Sequence, residues 1–297
     1  DEGWENYPSY FDIFIPHVLE LLQKWNLKIT FFIVGIDAGL EKNRTYLQAI
    51  TEEGHEVGNH SMNHESWLQK YSMEQLIEEI GTAEEKILEA TSAKPVGFRG
   101  PGFSWSTDLL EVLAERNYSF DASTLPTYIG PLARMYYFRK SDLSKKEKKE
   151  RSELFGGLRN GFQQIEPFKW HLPSGKSIME IPVTTMPVVK APFHLSYLLY
   201  LSRYSDLLMR FYLKMAISLC SVTGISPSYL LHPLDLIGGD KIQSLAFFPG
   251  MDLMSERKVE VFNKVIGMLL KNYDLANMSS YASHLISNRK LKSVYLK

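Results

Sequence analysis

The sequence predicts an α/β fold in which parallel strands are joined by crossover helices. Helix-like and strand-like segments alternate along the chain, and the strand-like runs end in Gly or in polar turns. The 297 residues are 44% hydrophobic, enough to bury a large core. At this length one α/β barrel and a pair of smaller domains are equally compatible with the composition.

Phe14 to Trp25 carries apolar residues at helical spacing and leads into the β-rich run Leu27 to Gly35. Asn43 to Glu53 predicts a helix stopped by Gly54, and His55 to His60 the next strand with its exit loop. Ser72 to Thr91 predicts a helix with Ser72 as N-cap and Gln75 completing a capping box. Val96 to Arg99 is a short strand opening into Gly100-Pro101-Gly102, followed by a helix from Thr107 to Arg116 and a strand from Tyr118 to Asp121. Strand ends therefore fall near residues 35, 60, 99 and 121. In parallel α/β folds the carboxyl ends of strands build the site, so polar residues gathered there are the candidates for chemistry.

The rest of the chain is less regular. The charge run from Ser141 to Glu153 predicts a solvated helix or loop. Ile165 to Val183 reads as a β-hairpin turning at Pro173-Ser174-Gly175-Lys176. The most apolar stretch, Phe193 to Val222, is interrupted by Arg203, Asp206, Arg210 and Lys214, which are costly at a bilayer centre. It reads as one or two buried or amphipathic helices, with a peripheral contact to lipid left open. Tyr229 to His232 has a buried-strand pattern ending in His, and Ser255 to Lys271 predicts a final amphipathic helix.

A formal net charge of −1 provides no basic field for nucleic acid. The single cysteine, Cys220, allows neither an intramolecular disulfide nor a cysteine-rich zinc module and fits a reducing compartment. No signal peptide is visible, so a cytoplasmic or membrane-peripheral location is expected over secretion. The first residue is Asp and not Met, and the natural start is expected upstream.

The most informative segment is Gly54 to His64, which sets His60 and His64 four residues apart after a strand-like run. On a helical turn this spacing puts both imidazoles on one face, where they can share a divalent metal. Two histidines and a carboxylate leave coordination positions open for water and substrate, the pattern of a catalytic site. The alternative is a pair of ordinary polar residues at a strand corner.

With these segments in order, the chain resembles the polysaccharide deacetylases with a NodB-homology domain. Thr30 to Gly35 resembles the family's second strand, and His60-Ser61 with His64 its histidine motif. Phe98 to Phe103 resembles the R-x-P motif, Tyr118 to Pro126 the Asp-Ser-Ser segment, and Leu231-His232-Pro233 the final L-x-H motif. The resemblance implies a distorted (β/α) barrel of about seven units, a single domain over 1–297 with an inserted hairpin and helical segment at about 127–225. It implies a divalent metal, zinc the expected one, and hydrolysis of an N-acetyl group. His60 and His64 would be metal ligands, His232 the general acid, and Arg99 the residue orienting the basic carboxylate. Asp1-Glu2-Gly3 stands where the family has Asp-Asp-Gly. In one register Asp1 is the base and Glu2 the ligand; in the other Asp1 is the ligand and the base lies upstream. Pro101, Trp105, Asp121 and Asp235 complete the substrate-binding candidates, Asp235 as a partner for the second nitrogen of His232 or as a turn cap. Trp4, Tyr7, Phe103, Trp105 and Tyr128 are aromatic residues suited to sugar faces or to core packing.

The expected substrate is an acylated aminosugar in a glycan, with lipid linkage and peripheral membrane contact both open. Two other readings remain: a glycan-binding barrel without catalysis, and a hydrolase of another non-peptide C–N bond of the deformylase or allantoinase type.

Overall fold

A computed structural model describes residues 8–128 and 162–297. Asp1, Glu2, Trp4, Tyr7 and the charge run at 141–153 lie outside the described residues. The described strands are β1 (Thr30–Ile33), β2 (Glu56–Asn59), β3 (Gly97–Phe98), β4 (Phe120–Asp121), β5 (Phe168–His171), β6 (Ser177–Glu180) and β7 (Lys292–Tyr295). They form one sheet in the order β1-β2-β3-β4-β6-β5-β7, parallel except for the antiparallel pair β5 and β6. The hairpin read from the sequence is thus two strands of the main sheet, with β6 pairing directly beside β4.

Helix α1 (Phe11–Lys24) precedes β1. The single turn α2 (Gly35–Ala38) and α3 (Glu41–Glu52) connect β1 to β2, α4 (Met73–Thr91) connects β2 to β3, and α5 (Thr107–Glu115) connects β3 to β4. Helix α4 starts where it does because Ser72 Oγ accepts from Gln75 N while Gln75 Oε1 accepts from Ser72 N. Its apolar stripe of Leu76, Ile80, Ala83 and Ile87 is buried. The run from 193 to 222 breaks at Ser205, an N-cap that accepts from Leu208 N, into α6 (Leu195–Ser202) and α7 (Asp206–Thr223). Among the described residues no helix is long and apolar enough to cross a membrane. Helix α8 (Ser255–Leu269) matches its sequence reading closely.

Two differences have physical causes. The run 229–232 is extended but lies outside the sheet. Among the described residues no strand pairs with it: Thr184 N donates to Ser228 O just before the run, and Leu195 N at the start of α6 donates to Leu230 O. Helix α9 (Met278–Asn288) and β7 follow what the sequence reads as the last helix. The polar MSSYASH stretch of α9 hides its apolar side, yet Ala282 and Leu285 pack into a core with Phe120, Met179 and Ile181.

The register lines up the strand ends: Ile33 with Asn59, Asn59 with Phe98, Phe98 with Asp121, and Asp121 with Glu180. One residue further, His60 N donates to Ile33 O, Arg99 N to Asn59 O, and Ala122 N to Phe98 O. His60 and Arg99 therefore sit side by side on the carboxyl rim. Glycine lets the rings of neighbouring strands lie close to this rim: a Cβ at Gly97 would stand 2.0 Å from Phe120 Cζ.

Candidate active site

The two histidines meet in a loop and not on a helical turn. The segment after β2 is irregular, with left-handed φ of 65° at Ser61 and 57° at His64. Non-glycine residues hold such backbone only when neighbours fix it. Here Asn59 Oδ1 accepts from Ser61 N at 2.8 Å, and Ser61 Oγ accepts from His64 N at 3.1 Å. Glu79 of α4 completes the clamp, receiving Asn63 N and Nδ2, each at 2.7 Å. The result brings the His60 and His64 rings to 4.9 Å between centroids, edge to face.

The protonation of His60 follows from its partner. Nδ1 lies 2.5 Å from the Arg99 carbonyl, which can only accept, so Nδ1 carries the hydrogen and Nε2 keeps its lone pair. Burial, then the neighbouring His64, push the imidazole down to about 3, with the Arg99 guanidinium acting in the same direction. Burial also lowers His64. Two neutral imidazoles with one nitrogen fixed are what a divalent ion of the zinc type requires. The described donors thus fit such an ion. Among the described residues no three His, Cys, Asp or Glu side chains gather as ligands, and Asp1 and Glu2 lie outside them.

Arg99 is held behind this pair. Its Nε donates to Ala122 O at 3.1 Å, and its guanidinium carbon stands 4.5 Å from the centre of the Phe32 ring. Burial pushes it down to about 10 against the pull of Asp121 and Glu180, so it remains a cation at neutral pH. Asp121 is sealed from solvent. Its Oδ1 accepts from Ser123 Oγ at 2.5 Å, and Ser123 Oγ in turn accepts from Gly100 N at 2.7 Å, tying β4 to the loop that begins at Arg99. Among the described residues Asp121 Oδ2 has no hydrogen-bond donor. Its register partner Glu180 is equally buried, with Oε1 taken by Thr124 Oγ1 at 2.6 Å and Oε2 by Trp170 Nε1 at 3.3 Å. Burial, then repulsion from Asp121, hold Glu180 well above the usual carboxylate range, and burial raises Asp121 too. The two carboxyls, both shifted toward the protonated form, lie beside each other and attract the Arg99 guanidinium.

His232 ends the extended run after α7 and is half exposed. Ser196 Oγ donates to Asp235 Oδ2 at 2.9 Å and stands 3.1 Å from His232 Nδ1, whose hydrogen it is placed to accept. Asp235 Oδ2 lies 3.5 Å from the same nitrogen and accepts from His232 N at 3.0 Å. Burial raises Asp235, but its hydrogen bonds with His232 and Ser196 more than offset this and leave it low. The arrangement orients Nδ1 inward and leaves Nε2 as the working atom of His232. Asp235 is buried and supports His232.

Three participants escape the sequence reading. His194, the N-cap residue of α6, is buried with its ring 5.6 Å from that of His232; Ser196 bridges His232 and Asp235; Glu180 pairs with Asp121. Burial, before the nearby His232 ring, pushes His194 down to about 3. A Glu amid the apolar strand Ile178-Met179-Glu180-Ile181 is the one visible signal among the three. Pro101 is buried and starts the tight turn after Gly100. Trp105 stacks at 4.9 Å on Trp170 and packs against the core of α4 and α5. Tyr128 meets Phe162 edge to face and the Lys190 ammonium at 5.8 Å.

Residues 1–120 match the family profile of the polysaccharide deacetylases. The chain is 31% identical over 105 residues to a peptidoglycan-N-acetylglucosamine deacetylase of Bacillus cereus, covering 35% of this chain and 47% of that protein. It is 27% identical over 170 residues to a peptidoglycan deacetylase of Helicobacter pylori, covering 54% of each. The chain thus spans about half the length of these curated relatives. A crystal structure of a Mycobacterium smegmatis protein assigned to the polysaccharide deacetylases superposes with a TM-score of 0.58 at 18% identity, over 97% of this chain and 82% of that one. At that identity the likeness shows the fold alone.

Proposed function

We propose, on the premise that residues 1–120 carry a family-level match to the polysaccharide deacetylases, that the chain is a metal-dependent hydrolase of acylated aminosugars. It would remove an N-acyl group, acetyl before others, from a glycan or a lipid-linked glycan precursor. The observation that carries this reading is the clamped pair His60 and His64, neutral and 4.9 Å apart on the rim beside Arg99.

His60 Nε2 and His64, with a carboxylate from Asp1 or Glu2, would hold a divalent ion that supplies Lewis acidity toward the amide carbonyl. The protein's own residues account for the remaining work. The Arg99 carbonyl keeps His60 in the tautomer that offers Nε2. The Arg99 guanidinium stays a cation within the field of Asp121 and Glu180, suited to orient a carboxylate that accepts a proton from water. His232, oriented through Ser196 and Asp235, protonates the departing amine nitrogen at Nε2.

Acetate release from N-acetylglucosamine oligomers tests the reading. Turnover is expected from the wild type, none from His60→Ala, and a fall in kcat of roughly 10²–10⁴ from His232→Ala. A second reading rests on Glu2, which stands where the family has a second aspartate: a barrel that binds glycan without hydrolysis. Sugar binding without metal or turnover on any acylated aminosugar would favour that reading and overturn the first.

A further inference from the structure

Helix α7 is built with apolar residues on both sides. Its inner side, Met209, Leu213, Ala216, Ile217 and Cys220, is buried and accounts for its packing. The outer face of a helix on a soluble protein is normally polar. Here Leu207, Phe211 and Met215 follow one another at i, i+4 spacing on the outside, with Leu207 78% and Phe211 65% exposed. From Leu207 to Thr223 the helix contains no Asp or Glu, and its only charges, Arg210 and Lys214, are exposed and one turn apart. Among the described residues neither forms an ion pair. The acid at the start of the helix, Asp206, is already neutralised by Arg257 and Lys264. Beside it, at the end of α6, Tyr200 and Tyr204 are exposed with their hydroxyls 3.0 Å apart. Arg203 pairs with Asp252, which joins this corner to the loop carrying exposed Phe247 and Phe248.

We infer that this corner, the outer face of α7 with the end of α6, docks on an anionic lipid bilayer. Exposed apolar side chains in a stripe, amphipathic tyrosines beside them and an uncompensated basic edge are what a helix lying in a lipid interface presents. The basic edge decides against a second copy of the chain, because a twofold contact through this face would set Arg210 and Lys214 near their own counterparts. The eight residues of α6, about 12 Å long, run from His194 and Ser196 at the active site to the tyrosines at this surface. The inference stands on α7 and is independent of the proposed hydrolysis.

Sedimentation with vesicles tests it. The protein is expected to sediment with phosphatidylglycerol-containing vesicles, much less with pure phosphatidylcholine, and less as salt rises. Arg210→Glu with Lys214→Glu should weaken binding by at least about fivefold per residue, and Leu207→Ser with Phe211→Ser should abolish it. Unchanged melting temperatures in these surface variants show that the fold is retained. His60→Ala should bind vesicles like the wild type, which separates this result from any failure of the hydrolase reading. No sedimentation with anionic vesicles overturns the inference, as does undiminished sedimentation of Leu207→Ser with Phe211→Ser. Light scattering that shows a wild-type dimer made monomeric by the same pair would overturn it in favour of self-association.

Discussion

Asn59→Ala probes the clamp that brings the histidines together. The side chain is fully buried and makes three hydrogen bonds: Nδ2 donates to Ile80 O at 3.1 Å and to Tyr118 Oη at 2.9 Å, and Oδ1 accepts from Ser61 N at 2.8 Å. Each bond is worth about 1 kcal/mol net, and a buried donor left without a partner costs about 1–3 kcal/mol. Ile80 lies within α4 and Tyr118 also interacts with Glu84, so the orphan is Ser61 N–H. The expected loss is about 3–4 kcal/mol, read from equilibrium urea unfolding. Ser61 is also where the chain takes its first left-handed step toward His64, so zinc affinity should fall about 10–100-fold. Tyr118→Phe is the control. It removes the hydroxyl with its contacts to Asn59 and Glu84 but leaves Ser61 held, and should cost about 1–2 kcal/mol with zinc affinity unchanged. A loss below about 1 kcal/mol in Asn59→Ala, or equal zinc affinity in both variants, would show that Asn59 does not hold the histidine loop.

Glu180→Gln mimics the protonated carboxyl. Because the folded protein holds the Glu180 proton more tightly than the unfolded chain, its contribution is full below the ordinary carboxylate range and falls as pH rises. The variant should therefore flatten the melting temperature against pH on the alkaline side, and parallel curves would contradict the upward shift of Glu180. His194 shifts in the opposite sense. With its folded value near 3 it contributes fully above its unfolded value of about 6.5 and progressively less as pH falls, so the wild type should lose about 2 kcal/mol between pH 7 and pH 5 that His194→Phe does not lose. Urea unfolding at both pH values reads this difference. Gly97→Ala places a methyl 2.0 Å from Phe120 Cζ and should cost roughly 1–3 kcal/mol, seen as a lower urea midpoint.

The sequence is most informative where a signal is local. The capping box of Ser72 and Gln75 and the hairpin turn at Pro173 to Lys176 each lie within a few residues, and the structure has both. The histidine spacing suggests a helical turn because sequence distance is all it contains. The loop that replaces the turn depends on Asn59 and on Glu79 of the following helix, contacts that no spacing reveals. The pairing of Asp121 with Glu180 is less legible still. It arises from the register of β4 against β6, across a long excursion of the chain, and strand register between distant segments leaves no local trace. His194 and Ser196 reach His232 in the same way, through α6 docking beside a run that reads as a strand and folds as a loop.

On the proposed function His60 and His64 hold one divalent ion, and zinc titrated calorimetrically into metal-free protein measures this without relying on turnover. One equivalent per chain is expected for the wild type, with binding lost in His60→Ala and in His64→Ala while both variants stay folded. Undiminished zinc stoichiometry and affinity in both variants would contradict the claim.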